Sequence, residues 1–218
     1  MTKERILDAA EKLFAQKGFD GASLREITAA ASTNLASVNY HFGSKEDLIA
    51  AVLRRRMRPL NERRIALLAA AEAAHSGAPP PLTEILTAFY GPVVELIGRP
   101  ECHFQPLLGR VFFEHGRAWE CFREEILPVV ERFLAALRKA LPHLEPEILA
   151  WRFQFAGAVL GFTMAGPRFF PLPSSGGRLT TDAGEVTRRM VEFAAAGLRA
   201  PVHHRSFEPC TALSPLLS

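Results

Sequence analysis

A chain of 218 residues, 48% hydrophobic and 22% charged, has the make-up of an ordinary globular protein with room for a sizeable core. The net charge is only +3, yet residues 1–64 carry twelve Lys+Arg against eight Asp+Glu, while residues 65–218 carry fourteen against fifteen; a basic first third points to a polyanionic partner for that part. Three scattered cysteines, Cys102, Cys121 and Cys210, argue against a disulfide scaffold and fit a reducing cytoplasm.

The opening MTKERILDAAEKLF reads as a charged amphipathic helix rather than a signal peptide. It is predicted over about residues 3–17, with Ile6, Leu7, Ala10, Leu13 and Phe14 on one stripe and Gly18 as a left-handed C-cap. Ser23-Leu24-Arg25-Glu26 has the spacing of a capping box and opens a short helix to about Ala31. After Ser32-Thr33-Asn34 a second short helix runs from Leu35 to Phe42 and stops at Gly43. Ser44 then caps a long helix whose first turn carries Glu46 and Asp47, facing the positive end of the helix dipole. Pro59 is expected to kink or break it before it resumes to about Ala74, and Ser76 to Pro81 is the clearest loop. Further helices are predicted at roughly 82–98, 104–116, 118–140, 145–167 and 181–199, with a loop at 171–177 and a loosely held tail. No run of alternating strands occurs, so the fold class is all-α. The predicted organisation is a three-helix helix-turn-helix domain at 1–53, a connecting helix at 54–75, a helical ligand-binding and dimerisation domain at 76–200, and a tail at 201–218. The longest uncharged apolar stretch, Phe153 to Pro167, falls short of the ~20 residues of a membrane span, so no membrane is expected and the reading is of a soluble cytoplasmic protein.

Helix, tight break, helix is the layout in which a second helix enters the major groove while the first braces it. At about 100° per residue, Leu35, Val38 and Phe42 share an inward face, and Ala36, Ser37, Tyr40 and His41 an outward one without an acidic group. The break at Thr33 and Asn34 is expected to leave free backbone amides for a phosphate, and Lys45 stands ready for the DNA backbone. The Arg54-Arg55-Arg56-x-Arg58 run reads as a solvated helix end and is left out of the site.

The series Ser23-Leu24-Arg25-Glu26-Ile27, Ala30-Ala31 and Thr33 through Leu48, with its Tyr-x-Phe followed by Ser-Lys-Glu, closely resembles the DNA-binding domain of the TetR (tetracycline repressor) family over about residues 3–53. It departs at Ala31, where glycine is usual and where the turn is expected to be stressed, and at Asn39, where an aromatic is common. The resemblance implies a sequence-specific regulator of transcription, with DNA contacts at Arg25, Thr33, Asn34, Leu35, Ala36, Ser37, Asn39, Tyr40, His41 and Lys45. The alternative weighed beside it is a small-molecule-binding helical protein with a vestigial helix-turn-helix.

Thirteen of the sixteen Phe lie beyond residue 80, which suits either a packed core or an apolar cavity. The family resemblance favours a cavity between helices that takes an apolar or amphipathic effector. Its candidate lining residues are Phe104, Leu108, Val111, Phe112, His115, Phe155 and Phe162, with an anionic end of the ligand near Arg110, His115 or Arg152. Glu114-His115 and Cys102-His103 lack paired metal-ligand spacing, and no catalytic constellation or phosphate loop occurs, so neither metal, cofactor nor enzyme activity is expected. The family also implies a homodimer. The small-residue stripe Gly157-x-x-x-Gly161-x-x-x-Ala165, with Val186, Met190, Phe193, Ala194 and Gly197, is its expected interface.

Overall fold

A computed structural model of the chain describes residues 2–97, 99, 103–111, 116–165 and 182–202. The described residues form nine helices and no strand: α1 (Thr2–Gly21), α2 (Leu24–Ala30), α3 (Leu35–Phe42), α4 (Lys45–Ala74), α5 (Leu82–Val94), α6 (Phe104–Val111), α7 (Arg117–Ala140), α8 (Pro146–Ala165) and α9 (Ala183–Arg199). The all-α expectation holds, and α3 has the predicted limits. The loop at 171–177, most of the tail, and residues 112–115, where the α6 helix was expected to continue, lie outside the described residues.

Local chemistry explains the N-terminal elements. Gly18 takes φ 81° and ψ 171°, a conformation suited to glycine, so the regular part of α1 ends there and one more turn follows at an angle. At the start of α2 both arms of the capping box are made. The Glu26 amide donates to Ser23 Oγ at 3.2 Å, and the Ser23 amide donates to Glu26 Oε2 at 2.9 Å. Ala31 is relaxed at φ −81°, ψ 0°; the left-handed residue of the turn is Ser32, at φ 49°. The strain expected at Ala31 therefore falls one residue later.

Helix α4 runs unbroken through Pro59, so the domain boundary expected at residue 53 falls inside a helix. Prolines also stand inside α5 (Pro92) and α7 (Pro128). Each lacks the N–H that would bond to the carbonyl four residues earlier, and its ring presses on that turn. Helix α4 packs on α5 and α7, α9 on α5, and α6 on both α8 and α1. One continuous apolar core results, from Ile6, Phe14, Val38 and Leu48 at one end to Ile85, Tyr90, Leu107 and Phe133 at the other.

Helix α8 has three faces. Leu149, Phe153, Ala156, Leu160 and Met164 are buried in the core, while Trp151, Phe155 and Phe162 are exposed. The small-residue stripe lies between, roughly 90° around the helix from the aromatic one. It turns inward: a Cβ on Gly109 of α6 would stand 2.5 Å from Ala165 Cα. With apolar residues on all sides, α8 is the one described helix long and apolar enough to cross a membrane by length and composition, although no such span was expected from the sequence.

Candidate nucleic-acid interface and ligand cavity

The α3 surface is held from beneath and from one end. Val38 is fully buried under it and Phe42 half-buried. At its start Asn34 Oδ1 accepts the Ser37 amide at 2.9 Å and the Ser37 hydroxyl at 3.0 Å. Leu35, assigned to the inward face, is instead 47% exposed. At the very start of a short helix its side chain projects past the end of the underlying core. Tyr40 is 85% exposed; Ala36, Asn39, Asn34 and Arg25 are exposed, and Thr33, Ser37, His41 and Lys45 are half-buried. Two expectations need correcting. The Thr33 amide is not free but donates to the Thr28 carbonyl at 2.9 Å, so the first-turn amides of Leu35 and Ala36 are the ones no intrahelical carbonyl can reach. Lys45 Nζ donates to the Asp20 carbonyl at 3.2 Å, which ties α4 to the end of α1 while leaving two N–H groups of the ammonium.

The arginine run is not a solvated helix end. Arg55 Nη2 and Arg56 Nε both donate to Glu11 Oε2, at 2.7 and 2.8 Å, and Glu11 is buried. Arg54 Nε donates to Glu125 Oε1 at 2.9 Å, with Arg58 at 3.4 Å. One stretch of α4 thus grips α1 on one side and α7 on the other.

Beyond that grip, α4, α5, α6, α7 and α8 enclose a cavity of about 520 Å³, a volume ordinary for small organic ligands. Phe104 and Leu108 line it as expected, and Phe162 stands at its exposed rim. Val111 is buried but lies off the wall, and Phe155 is 60% exposed on the outer face of α8. Phe112 and His115 lie outside the described residues. Arg110 and Arg152 do not reach the cavity: Arg110 Nη1 approaches Gly18, and Arg152 Nη1 donates to the Leu198 carbonyl at 2.8 Å. Of the residues expected at a dimer interface, Gly157 and Gly161 line the cavity, Met190 and Ala194 are buried within the chain, Val186 is half-buried, and Phe193 and Gly197 are exposed.

Sequence reasoning missed Arg64 and Asn61, the polar residues of the α4 wall. Arg64 Nε donates to the Phe89 carbonyl at 2.8 Å, and Nη1 approaches Asn61 Oδ1 at 3.4 Å. Asn61 Nδ2 donates to the Glu125 carbonyl at 2.8 Å. Phe89 and Glu125 each sit three residues before a helix-internal proline, Pro92 and Pro128, so α4 supplies side-chain donors to both disrupted turns. Burial pulls the Arg64 pKa down from its ordinary value to about 9, with Tyr90 opposing the shift, and the group remains a cation at neutral pH. No local sequence signal marks either residue, because the carbonyls they serve stand 25 and 64 positions away in the chain.

The chain matches the family model described as "Bacterial regulatory proteins, tetR family" over residues 6–52, and "Tetracyclin repressor-like, C-terminal domain" over residues 87–197, half of its length. It is 46% identical over 48 residues to the probable HTH-type transcriptional regulator YttP of Bacillus subtilis, covering 22% of this chain and 23% of that protein. It is 42% identical over 52 residues to the HTH-type transcriptional repressor NicS of Pseudomonas putida, covering 24% of each. These matched segments span about a quarter of either relative. The fold is similar to that of the fatty acid degradation regulator FadR from Bacillus halodurans, with a TM-score of 0.67 at 14% identity over 92% of this chain and 97% of that one. The helix-turn-helix residues, the all-helical fold of the described residues and the match across both halves lead to one assignment: the chain belongs to the TetR family.

Proposed function

We propose that the protein is a cytoplasmic, homodimeric, sequence-specific DNA-binding repressor that releases its operator when a small apolar or amphipathic effector fills the cavity. The observation that carries the DNA-binding reading is the outward face of α3. It presents exposed Asn39 and Tyr40 beside Ala36, Ser37 and His41, carries no carboxylate, and is fixed from below by Val38. A helix entering a groove lined with phosphates needs such a face. Arg25 and Lys45, from the starts of α2 and α4, flank it and supply charge for the phosphates. The names of the N-terminal relatives, a regulator and a repressor, support the same reading.

The dimer reading rests on the exposed aromatic residues Trp151, Phe155 and Phe162 of α8 and Phe193 of α9. Two copies related by a two-fold axis would cover them and present two α3 helices to a palindrome.

The test is anisotropy titration of labelled DNA from the gene's own upstream region. Tyr40→Ala, at a residue that packs against little else, is expected to lose at least tenfold in specific affinity with an unchanged melting temperature. Lys45→Ala is expected to weaken binding to all sequences and make the log–log salt slope shallower by about one. Equal affinity of Tyr40→Ala and wild type for the upstream DNA would refute the assignment of α3.

A further inference from the structure

Arg64 is only 4% exposed, and no carboxylate among the described residues pairs with it. Its guanidinium carbon lies 4.5 Å from the centroid of the Phe89 ring, which with the Phe89 carbonyl hydrogen bond holds the group against α5 at the cavity wall. Of its five N–H donors, one serves the Phe89 carbonyl and one Asn61, which leaves three without an acceptor among the described residues. Patching a helix beside a proline does not need a charge. Asn61 serves the Glu125 carbonyl beside Pro128 with a neutral amide. Keeping a cation out of water with no counter-ion is costly, and that cost is unexplained by the patch alone.

We infer that the free donors of Arg64 receive a carboxylate, and that the effector is an apolar molecule bearing a single carboxylate head. This deepens the effector part of the function proposed above and rests on it. The planar fork of a guanidinium fits a carboxylate bidentately. Among the described residues Arg64 is the only charged side chain lining the cavity, which matches one negative charge and leaves a dianion half-compensated. The body of the ligand lies against Phe104, Trp119, Phe122 and Phe153, an aromatic wall that offers dispersion contacts and no second charge to compete for the head.

Calorimetric titration of the full chain with two matched pairs tests this: octanoate against 1-octanol, and 2-naphthoate against 2-naphthylmethanol. At least one acid is expected to bind ten times or more tighter than its alcohol. Arg64→Gln, which keeps an amide donor for the Phe89 carbonyl but no charge, is expected to bring acid and alcohol within twofold of each other while alcohol binding persists. Wild-type protein that binds acid and alcohol equally overturns the proposal, as does an acid preference that survives in Arg64→Gln. Binding of none of the four overturns it together with the effector reading. Operator affinity of the ligand-free protein, measured on the same samples, tells whether the DNA-binding reading stands apart from either failure.

Discussion

The Glu26 carboxylate accepts from Lys17 Nζ and from the Ser23 amide and hydroxyl. The Lys17 hydrogen bond, then those of Ser23, lower its pKa from 4.5 to about 2. A depressed folded-state pKa means that the unfolded chain binds the proton more readily, so the stabilisation is complete above about 4.5 and is lost as the pH falls toward 2. Thermal melts followed by circular dichroism are expected to show the wild-type midpoint falling through that window. Glu26→Gln keeps the capping geometry but does not titrate there, and its midpoint should fall less. The box was legible in the sequence because all its chemistry lies within four consecutive residues. Arg64 was not, because an arginine in Asn-Glu-Arg-Arg is ordinarily solvated, and its burial comes with the packing of α4 against α5, at Phe89.

The start and end of helix α4 are read correctly, but not its continuity through Pro59, nor its arginines, whose acidic partners stand 44 to 71 positions away in the chain. Glu11 is the most exacting of these partners. It is buried, serves both Arg55 and Arg56, and leaves Arg55 Nε as a buried donor with no acceptor. Glu11→Gln is expected to cost about 1.5–3 kcal/mol, the range for a hydrogen bond to a charged group, read as a lower urea midpoint with an unchanged slope. Arg58→Ala removes only the long, exposed contact to Glu125 and should cost less than about 1 kcal/mol. Equal effects of the two substitutions would refute this ranking. The same limit explains α8: with apolar residues all round, periodicity cannot say which stripe meets the core, the cavity or the outside. The glycine stripe lies along the cavity, while the exposed face of α8 carries Trp151, Phe155 and Phe162.

For the molecule as a whole, Phe155 at 60% and Phe193 at 68% exposed are large apolar surfaces left in water by the single chain. Sedimentation is expected to give a dimer for wild type at micromolar concentration and a monomer for Phe155→Glu combined with Phe193→Glu, at equal helix content. Each monomer would then read one half-site, and operator affinity should fall by more than tenfold. A double variant that remains a dimer would move the interface elsewhere. The all-helical plan was legible at this scale because several helices announce themselves by a side-chain cap, at Ser23, Asn34, Ser44 and Asp182, and others by an apolar stripe. The cavity was not, since a void belongs to no single segment of sequence.

Close contact between α6 and α8 at Gly109 and Ala165 acts as a mechanical stop. With backbone already against backbone, α6 has no travel left toward α8, so any push on Leu108 from inside the cavity must be taken up by its other neighbours, α1 and α7. The walls of the cavity are therefore unequal in what they can tolerate over generations. Wall residues of α7 such as Trp119 and Phe122 stand outside that backbone contact. Helix α6 also packs on α1, the first helix of the helix-turn-helix end, so the stop and that contact share one short helix.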